Sequence, residues 1–270
     1  MTRPAAVLVG AVAYDPKVVT IWEGMRAHFL AAGVPMDFAL FSNYERQVEA
    51  LLAGHIDIAW NTPLAHVRVK RRTQGTSLSL GMRDSDRDFH SKVIVRRQAG
   101  MRALGDLVGR RLAVGSRDST QARILPLHFL REEGVDLARV EQVSYDSDLG
   151  KHGDTGRSEL DVLRALREGE VDAGVVGDLV WVSELAAGRV PVGELEVLWT
   201  TPGFDHCMFD ARPDLGRRQC EDFSRTLFEM SWENPAHRRV LELEGLRQWL
   251  PPREEGYRSL ERALDQERTW

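Results

Sequence analysis

The chain has 270 residues, with 36 Lys and Arg against 41 Asp and Glu, a formal charge of −5, 43% apolar and 29% charged residues. These globular values exclude a disordered or collagen-like chain, and the mild acidity excludes a basic nucleic-acid-binding domain as the default. Two cysteines, Cys207 and Cys220, cannot build a disulfide framework or a cysteine zinc site.

Residues 6–13 are apolar and read as a buried strand that runs into the polar turn Tyr14-Asp15-Pro16. The same stretch carries Arg3 before it and Ala-Val-Ala at its end, as a signal peptide would, but its apolar part is short. A strand in a cytoplasmic protein is the expectation; a periplasmic or lipid-anchored protein follows if an export signal was removed. No run approaches the roughly 18–20 apolar residues of a membrane span, so the chain is not expected to be membrane-embedded. Asp15 and Pro16 open a helix in which Val18, Ile21, Trp22, Met25 and Phe29 recur at helical spacing until Gly33. Residues 36–41 form a second strand. Asn43 then caps a helix with the stripe Tyr44, Val48, Leu51 and Leu52, Gly54 stops it, and residues 56–60 form a third strand. This alternation predicts parallel βαβ units.

Beyond a polar stretch at 83–90, residues 92–97 read as a strand, 101–109 as a short helical piece and 111–115 as another strand. The polar run Ser116-Arg117-Asp118-Ser119-Thr120 leads into a helix that ends at Gly134 and either kinks or becomes regular at Pro126. Residues 149–157 read as a Gly-rich polar loop. Residues 253–268 read as a charged amphipathic helix with Tyr257, Leu260 and Leu264 inward. One pattern occurs twice: A-L-x-x-G-x-[IV]-D-x-[AG] is read at 50–59, with Leu51, Gly54 and Asp57, and at 165–174, with Leu166, Gly169 and Asp172. Each copy is a helix end, a glycine stop and a buried strand with an aspartate near its start, which suggests two lobes on one α/β plan.

At these residues the sequence resembles the phosphonate-type solute-binding proteins of ABC transporters. Four stretches carry the resemblance: Gly54-His55-Ile56-Asp57-Ile58-Ala59-Trp60; Phe89-His90-Ser91 before a strand; residues 104–114 (LGDLVGRRLAV) with Asp118-Ser119-Thr120 after them; and residues 163–173 (LRALREGEVDA). The chain departs from the family where a His is usual and Glu159 stands, and where an aromatic is usual and Asn61 or Thr62 stands; residues 150–157 look longer than usual. The departures bear on ligand identity. The resemblance implies an α/β, type 2 periplasmic-binding-protein fold: lobe 1 at 1–95 and 203–270, lobe 2 at 96–202, two crossover hinges, and a ligand cleft that closes between the lobes.

Ser119 and Thr120, with Gln121 next, follow a strand and open a helix, where backbone N–H groups and the helix dipole suit a phosphonate, phosphate or carboxylate oxygen. They also fit a plain N-cap. Tyr14, Tyr44, Trp60, Asn61 and Thr62 sit at or just after strand ends in the first lobe and are candidate contacts, although Trp60 also suits the core. His90, Glu159 and Asp178 complete the set, the two carboxylates implying either a zwitterionic ligand or helix caps that face away. The eight His show no H-x-x-x-H or H-E-x-x-H spacing, and no nucleotide loop or nucleophile elbow is present. No metal or cofactor is therefore expected. The expected function is binding of a small anionic or zwitterionic solute, with a membrane permease or sensor as partner and no nucleic acid. A cytoplasmic enzyme on the same fold is the alternative.

Overall fold

The computed structural model describes residues 6–146 and 156–267; most of the 149–157 loop expectation therefore lies outside the described residues. In chain order the elements are β1 (Val7–Val12), α1 (Lys17–Ala31), β2 (Met36–Phe41), α2 (Tyr44–Leu52), β3 (Ile58–Asn61), α3 (Pro63–Arg72), β4 (Leu78–Arg83), β5 (Ser91–Arg96), β6 (Arg111–Val114), α4 (Leu125–Glu132), β7 (Glu141–Ser144), α5 (Arg157–Arg167), β8 (Ala173–Gly177), α6 (Asp178–Ala186), β9 (Leu195–Thr200), β10 (Met208–Ala211), α7 (Arg217–Phe228), α8 (Pro235–Glu244), β11 (Trp249–Leu250) and α9 (Arg258–Glu267). They fall into two compact units. Among the described residues unit 1 holds 6–88 and 205–257, and unit 2 holds 89–146, 156–204 and 258–267.

Unit 1 is a sheet of order β11-β4-β10-β3-β1-β2. β2, β1 and β3 run parallel, joined by α1 and α2, and β10 pairs antiparallel with β3. The α1 stripe Val18, Ile21, Trp22, Met25 and Phe29 is buried as its spacing predicts, in a core with Phe209, Phe223 and Trp249. Asn43 Oδ1 accepts from the Arg46 N–H at 2.9 Å, which starts α2, and Gly54 at φ +72° turns the chain out of it. Residues 63–72, which the sequence reading left without an element, form α3. It begins with Pro63 at its first turn after Thr62 and buries Leu64, Ala65, Val67 and Val69.

Unit 2 repeats the plan with the order β7-β6-β8-β5-β9. β7, β6 and β8 are parallel, and β5 pairs antiparallel with β8. β3 and β8, the strands of the paired motif, are both interior strands of their own sheets. The Asp that recurs in the motif has one job in both copies. Asp57 Oδ2 accepts from the Leu8 N–H and Asp172 Oδ2 from the Arg111 N–H, each at 2.9 Å. Each carboxylate thus satisfies a donor at the start of the neighbouring parallel strand, the second N–H of β1 and the first of β6. The C-terminal helix α9 buries Leu260, Ala263 and Leu264. It packs on α4 in unit 2, with His128 Nδ1 3.1 Å from Gln266 Oε1, where the sequence reading carried it with the first lobe.

Candidate functional site

In unit 2, β6 runs into Gly115, where a Cβ would stand 2.6 Å from Ala122 Cβ and 3.0 Å from Ser158 Oγ. Only glycine lets the strand end this close to the next helix. The following turn closes when the Ser119 N–H donates to the Ser116 carbonyl at 2.9 Å. Ser119 Oγ then accepts from the Ala122 N–H at 3.1 Å, so Ser119 is an N-cap. The first helical turn, Thr120–Ile124, is wound as a π-helix, with the Ile124 N–H reaching back to the Ser119 carbonyl at 3.0 Å. It continues into α4 with Pro126 in the first α turn, so the regular helix begins there. Ser116, Ser119 and Thr120 are fully buried. Ser116 Oγ has no hydrogen-bond partner among the described residues, although a buried hydroxyl normally has one.

Behind this turn lies Glu159, on the first turn of α5 and 1% exposed. Its Oε1 accepts from Gln121 Nε2 at 3.0 Å and its Oε2 from the Gly177 N–H at 2.6 Å. Gln121 in turn offers its carbonyl to Ser91 Oγ at 2.5 Å. One carboxylate therefore ties the helix start to α5, and to the end of β8. Burial pushes its pKa up, against the two hydrogen bonds that lower it.

His90 and Asp178 meet on the other side of β8. The Asp178 N–H donates to the His90 carbonyl at 2.9 Å, and Asp178 Oδ2 accepts from the His90 N–H at 3.1 Å. Asp178 Oδ1 lies 2.8 Å from Lys92 Nζ, so its charge is compensated within the unit. His90 Nδ1 is 2.7 Å from the Thr201 carbonyl, which requires a proton on Nδ1 and leaves Nε2 as the acceptor in the neutral ring.

The candidates of unit 1 have a different fate. Tyr14 is 40% exposed, with Lys17 Nζ 5.9 Å from its ring centroid. Tyr44 packs against the cluster of Val48, Leu51 and Ile56. Trp60 is core: its ring lies 4.4 Å from that of Phe209 and 5.5 Å from that of Trp249, and Nε1 donates to Glu244 Oε1 at 3.0 Å. Asn61 is fully buried and spends its amide inside the unit, donating to Asp210 Oδ2 and accepting from Gln47 Nε2, both at 2.9 Å. Thr62 precedes α3 without a side-chain cap bond.

The sequence reading missed the groups that hold these residues. His66 Nδ1 is 2.9 Å from Asp210 Oδ1, and Nε2 is 3.3 Å from Glu254 Oε2. Desolvation opposes the imidazolium, but Asp210 and then Glu254 raise the His66 pKa to about 9. Glu254 is held at about 2, chiefly by His66. Nearby, Arg83 grips Asp86 with two bonds of 2.7 Å and donates to the Glu244 carbonyl at 2.9 Å. Desolvation would raise the Asp86 pKa, yet Arg83 and His206 bring it to about 2. Asp86, His206 and Cys207 lie close enough to one another for a metal ion, but Arg83 already takes both Asp86 oxygens. His66 and Asp210 are 144 residues apart, and no local pattern couples them. Gln47 stood in plain view, a polar residue on the buried face of an amphipathic helix.

Two sheets of one strand order, each with three parallel strands and an antiparallel return, make the architecture of the periplasmic substrate-binding proteins. The family described as "ABC transporter, phosphonate, periplasmic substrate-binding protein" matches residues 13–257, and the chain belongs to it. It is 23% identical over 229 residues to a protein of Prochlorococcus marinus (strain MIT 9301) named "Probable ABC transporter phosphite binding protein PhnD1", covering 81% of this chain and 74% of that one. The structure of PhnD1 from the same organism in complex with methylphosphonate superposes with a TM-score of 0.78 at 20% identity, over 99% of this chain and 100% of that chain. XAC2383 of Xanthomonas citri bound to ATP gives 0.73 at 17% identity, over 96% and 95%. The chain is thus a solute-binding protein of the ABC-transporter type, with a small-molecule ligand and a permease as its partners. The family's periplasmic description agrees with the exported alternative and lends no support to the cytoplasmic expectation. Among the described residues no helix is long and apolar enough to cross a membrane.

Proposed function

We propose that this protein binds a small solute with a phosphonate- or phosphite-like oxyanion and serves a membrane permease from the periplasm. The Ser116–Gln121 turn of unit 2 supplies the oxyanion contacts. The observation that carries this reading is the buried Ser116 hydroxyl, without a partner among the described residues, in the turn that Ser119 caps. A helix start leaves N–H groups without intrahelical carbonyls, and an oxyanion is a natural acceptor for them. Ser119 and Thr120 add hydroxyls at the same place. His90 offers its Nε2 side. Asp178 is already balanced by Lys92, and both Glu159 oxygens already accept from donors of the unit. The reading therefore needs no amine on the ligand.

A thermal-shift screen tests it with methylphosphonate, phosphite, phosphate, an alkylsulfonate, amino acids and sugars. A ligand at about 100 times its Kd stabilises the fold by about 2.7 kcal/mol, a shift of a few degrees for a chain of this size. Phosphonate or phosphite should give the largest shift. A shift only with amino acids or sugars would overturn the reading.

A further inference from the structure

The unusual group in unit 2 is Glu159: a carboxylate 1% exposed whose two bonds come from an amide and a backbone N–H. Neither donor carries a charge, and no ion pair to Glu159 exists among the described residues. On β5, Lys92 pairs with Asp178 of α6 at 2.8 Å. On the π turn, Arg123 Nη1 donates to Ser144 Oγ at 2.6 Å. Gly177 of β8 presents only its N–H, and Ser158, next to Glu159 on α5, presents a hydroxyl that accepts from the Ser116 N–H at 3.3 Å. Buried charges are ordinarily paired, or else neutralised by a proton. This one stands directly behind the turn assigned above to an oxyanion, one hydrogen bond from the residue that follows Thr120.

We propose that Glu159 takes up a proton when the oxyanion binds. An incoming negative charge disfavours a second one held behind it in a poorly solvated site. The hydrogen bonds can accommodate both states. As a carboxylate, Glu159 accepts from Gln121 Nε2 and from the Gly177 N–H. After gaining a proton from solvent on Oε1, it donates that proton to Gln121 Oε1 once the amide turns over, while Oε2 keeps the Gly177 N–H. No other group need lose or gain a proton. The inference rests on the oxyanion reading and gives that site a consequence: affinity for anions falls as pH rises, beyond what the ligand's own titration explains. Burial already pushes the Glu159 pKa up, which moves this uptake toward the neutral range.

Calorimetric titration of the full chain with methylphosphonate and, separately, inorganic phosphite tests the coupling. Runs in buffers of different ionisation enthalpy, at about pH 6 and about pH 8, count the protons taken up per ligand bound. Glu159→Gln keeps the shape and an acceptor for the Gly177 N–H but cannot titrate, and the ligand's own protons cancel between wild type and variant. The wild type should take up between a few tenths of a proton and one proton more than E159Q, and E159Q should bind several-fold tighter than wild type at about pH 8. Equal uptake in both proteins, with binding intact, overturns the coupling and leaves the oxyanion reading standing. A folded E159Q that binds neither probe also overturns it, because a neutral residue there should favour the anion. If neither probe binds the wild type, the oxyanion reading and the coupling fall together. If E159Q does not fold, difference infrared spectroscopy of the wild type decides: a protonated-carboxyl band should appear on adding methylphosphonate, and its absence overturns the proposal.

Discussion

Units 1 and 2 use the same succession, β1-α1-β2-α2-β3 in one and β6-α4-β7-α5-β8 in the other, and the same devices. Gly54 and Gly169 stop the second helix at φ +72° and +77°, and Asp57 and Asp172 bind an N–H at the start of the neighbouring strand. Each unit also keeps one glycine opposite one alanine across its central parallel strands, in reversed order: Gly10 faces Ala59, and Ala113 faces Gly174. The units part at the strand ends. In unit 1 the polar residues there are locked into charged, buried groups, His66–Asp210 with Asn61, and Arg83–Asp86 with Glu244. In unit 2 they form a serine-rich turn on a π-wound helix start, backed by one carboxylate without a cation among the described residues. Similar positions on similar sheets thus serve stability in one unit and hydrogen-bonding capacity in the other.

Substitutions can break that contrast. Asp210→Ala should have the largest effect, because it leaves the buried imidazolium with only the half-exposed Glu254 and the Asn61 NH2 without its acceptor. Removing one member of such a pair costs about 3–5 kcal/mol, read as a fall in the denaturation midpoint; a loss below about 1 kcal/mol would mean that the network is ornamental. The pH dependence of stability comes next. His66 is raised to about 9 in the fold, so its contribution is fully present below its ordinary pKa of about 6.5 and fades as pH rises through 9. That loss is on the order of 3 kcal/mol. Melting temperature against pH should show this alkaline limb in the wild type and a flatter one in His66→Gln.

The opposite limb comes from His237, lowered by desolvation and by His28. Its Nδ1 accepts from the Ser231 N–H at 3.1 Å and its Nε2 lies 3.0 Å from His28 Nδ1, so the ring is held neutral. The stability from neutral His237 is present above about pH 6.5 and lost as pH falls below it. Gly174→Ala should follow in size: its Cβ would stand 2.6 Å from Val162 Cγ1, and overpacking of this kind costs about 1–3 kcal/mol. Ala59, its counterpart in unit 1, already carries that methyl, and a tolerated G174A would show that α5 yields easily. The smallest effects are Asp57→Ala and Asp172→Ala, about 1 kcal/mol each for one lost backbone contact. Asp57 should cost slightly more because its pair with Arg212, at 3.0 Å, is closer than that of Asp172 with Arg111, at 3.9 Å.

Much of this architecture was legible in the chain. The α1 stripe, the Asn43 cap, the glycine stops and the paired helix–glycine–strand motif are local signals, and each depends on contacts within a few residues. The Ser119 cap and the helix start at Pro126 were each legible as one of two readings, and the fold selects between the two for Pro126. Helix α3 was passed over because Thr62, which precedes a helix opened by Pro63, was taken with Asn61 as a polar strand end. Asn61 was singled out as a polar strand end, yet its partners are Gln47 and Asp210, and only folding brings Asp210 beside β3. Glu159 stood out by its departure from the family pattern, but that it meets Gln121 and Gly177 depends on how β8 lies against β6. Pairings across a sheet are not written in local spacing, and most of the candidate site is made of them.

The account stands most directly on the turn that opens the helix of unit 2. Calorimetric titration of the wild type and of the double variant Ser119→Ala/Thr120→Ala with methylphosphonate and with phosphite measures its share. Hydrogen bonds to a charged group cost about 1.5–3 kcal/mol each when lost and do not add fully. The double variant should therefore bind between several-fold and a few hundred-fold more weakly, with a folding penalty near the 1 kcal/mol of a lost cap. Affinity unchanged from wild type would contradict the account: these residues would then cap a helix and nothing more, and the oxyanion would be held elsewhere.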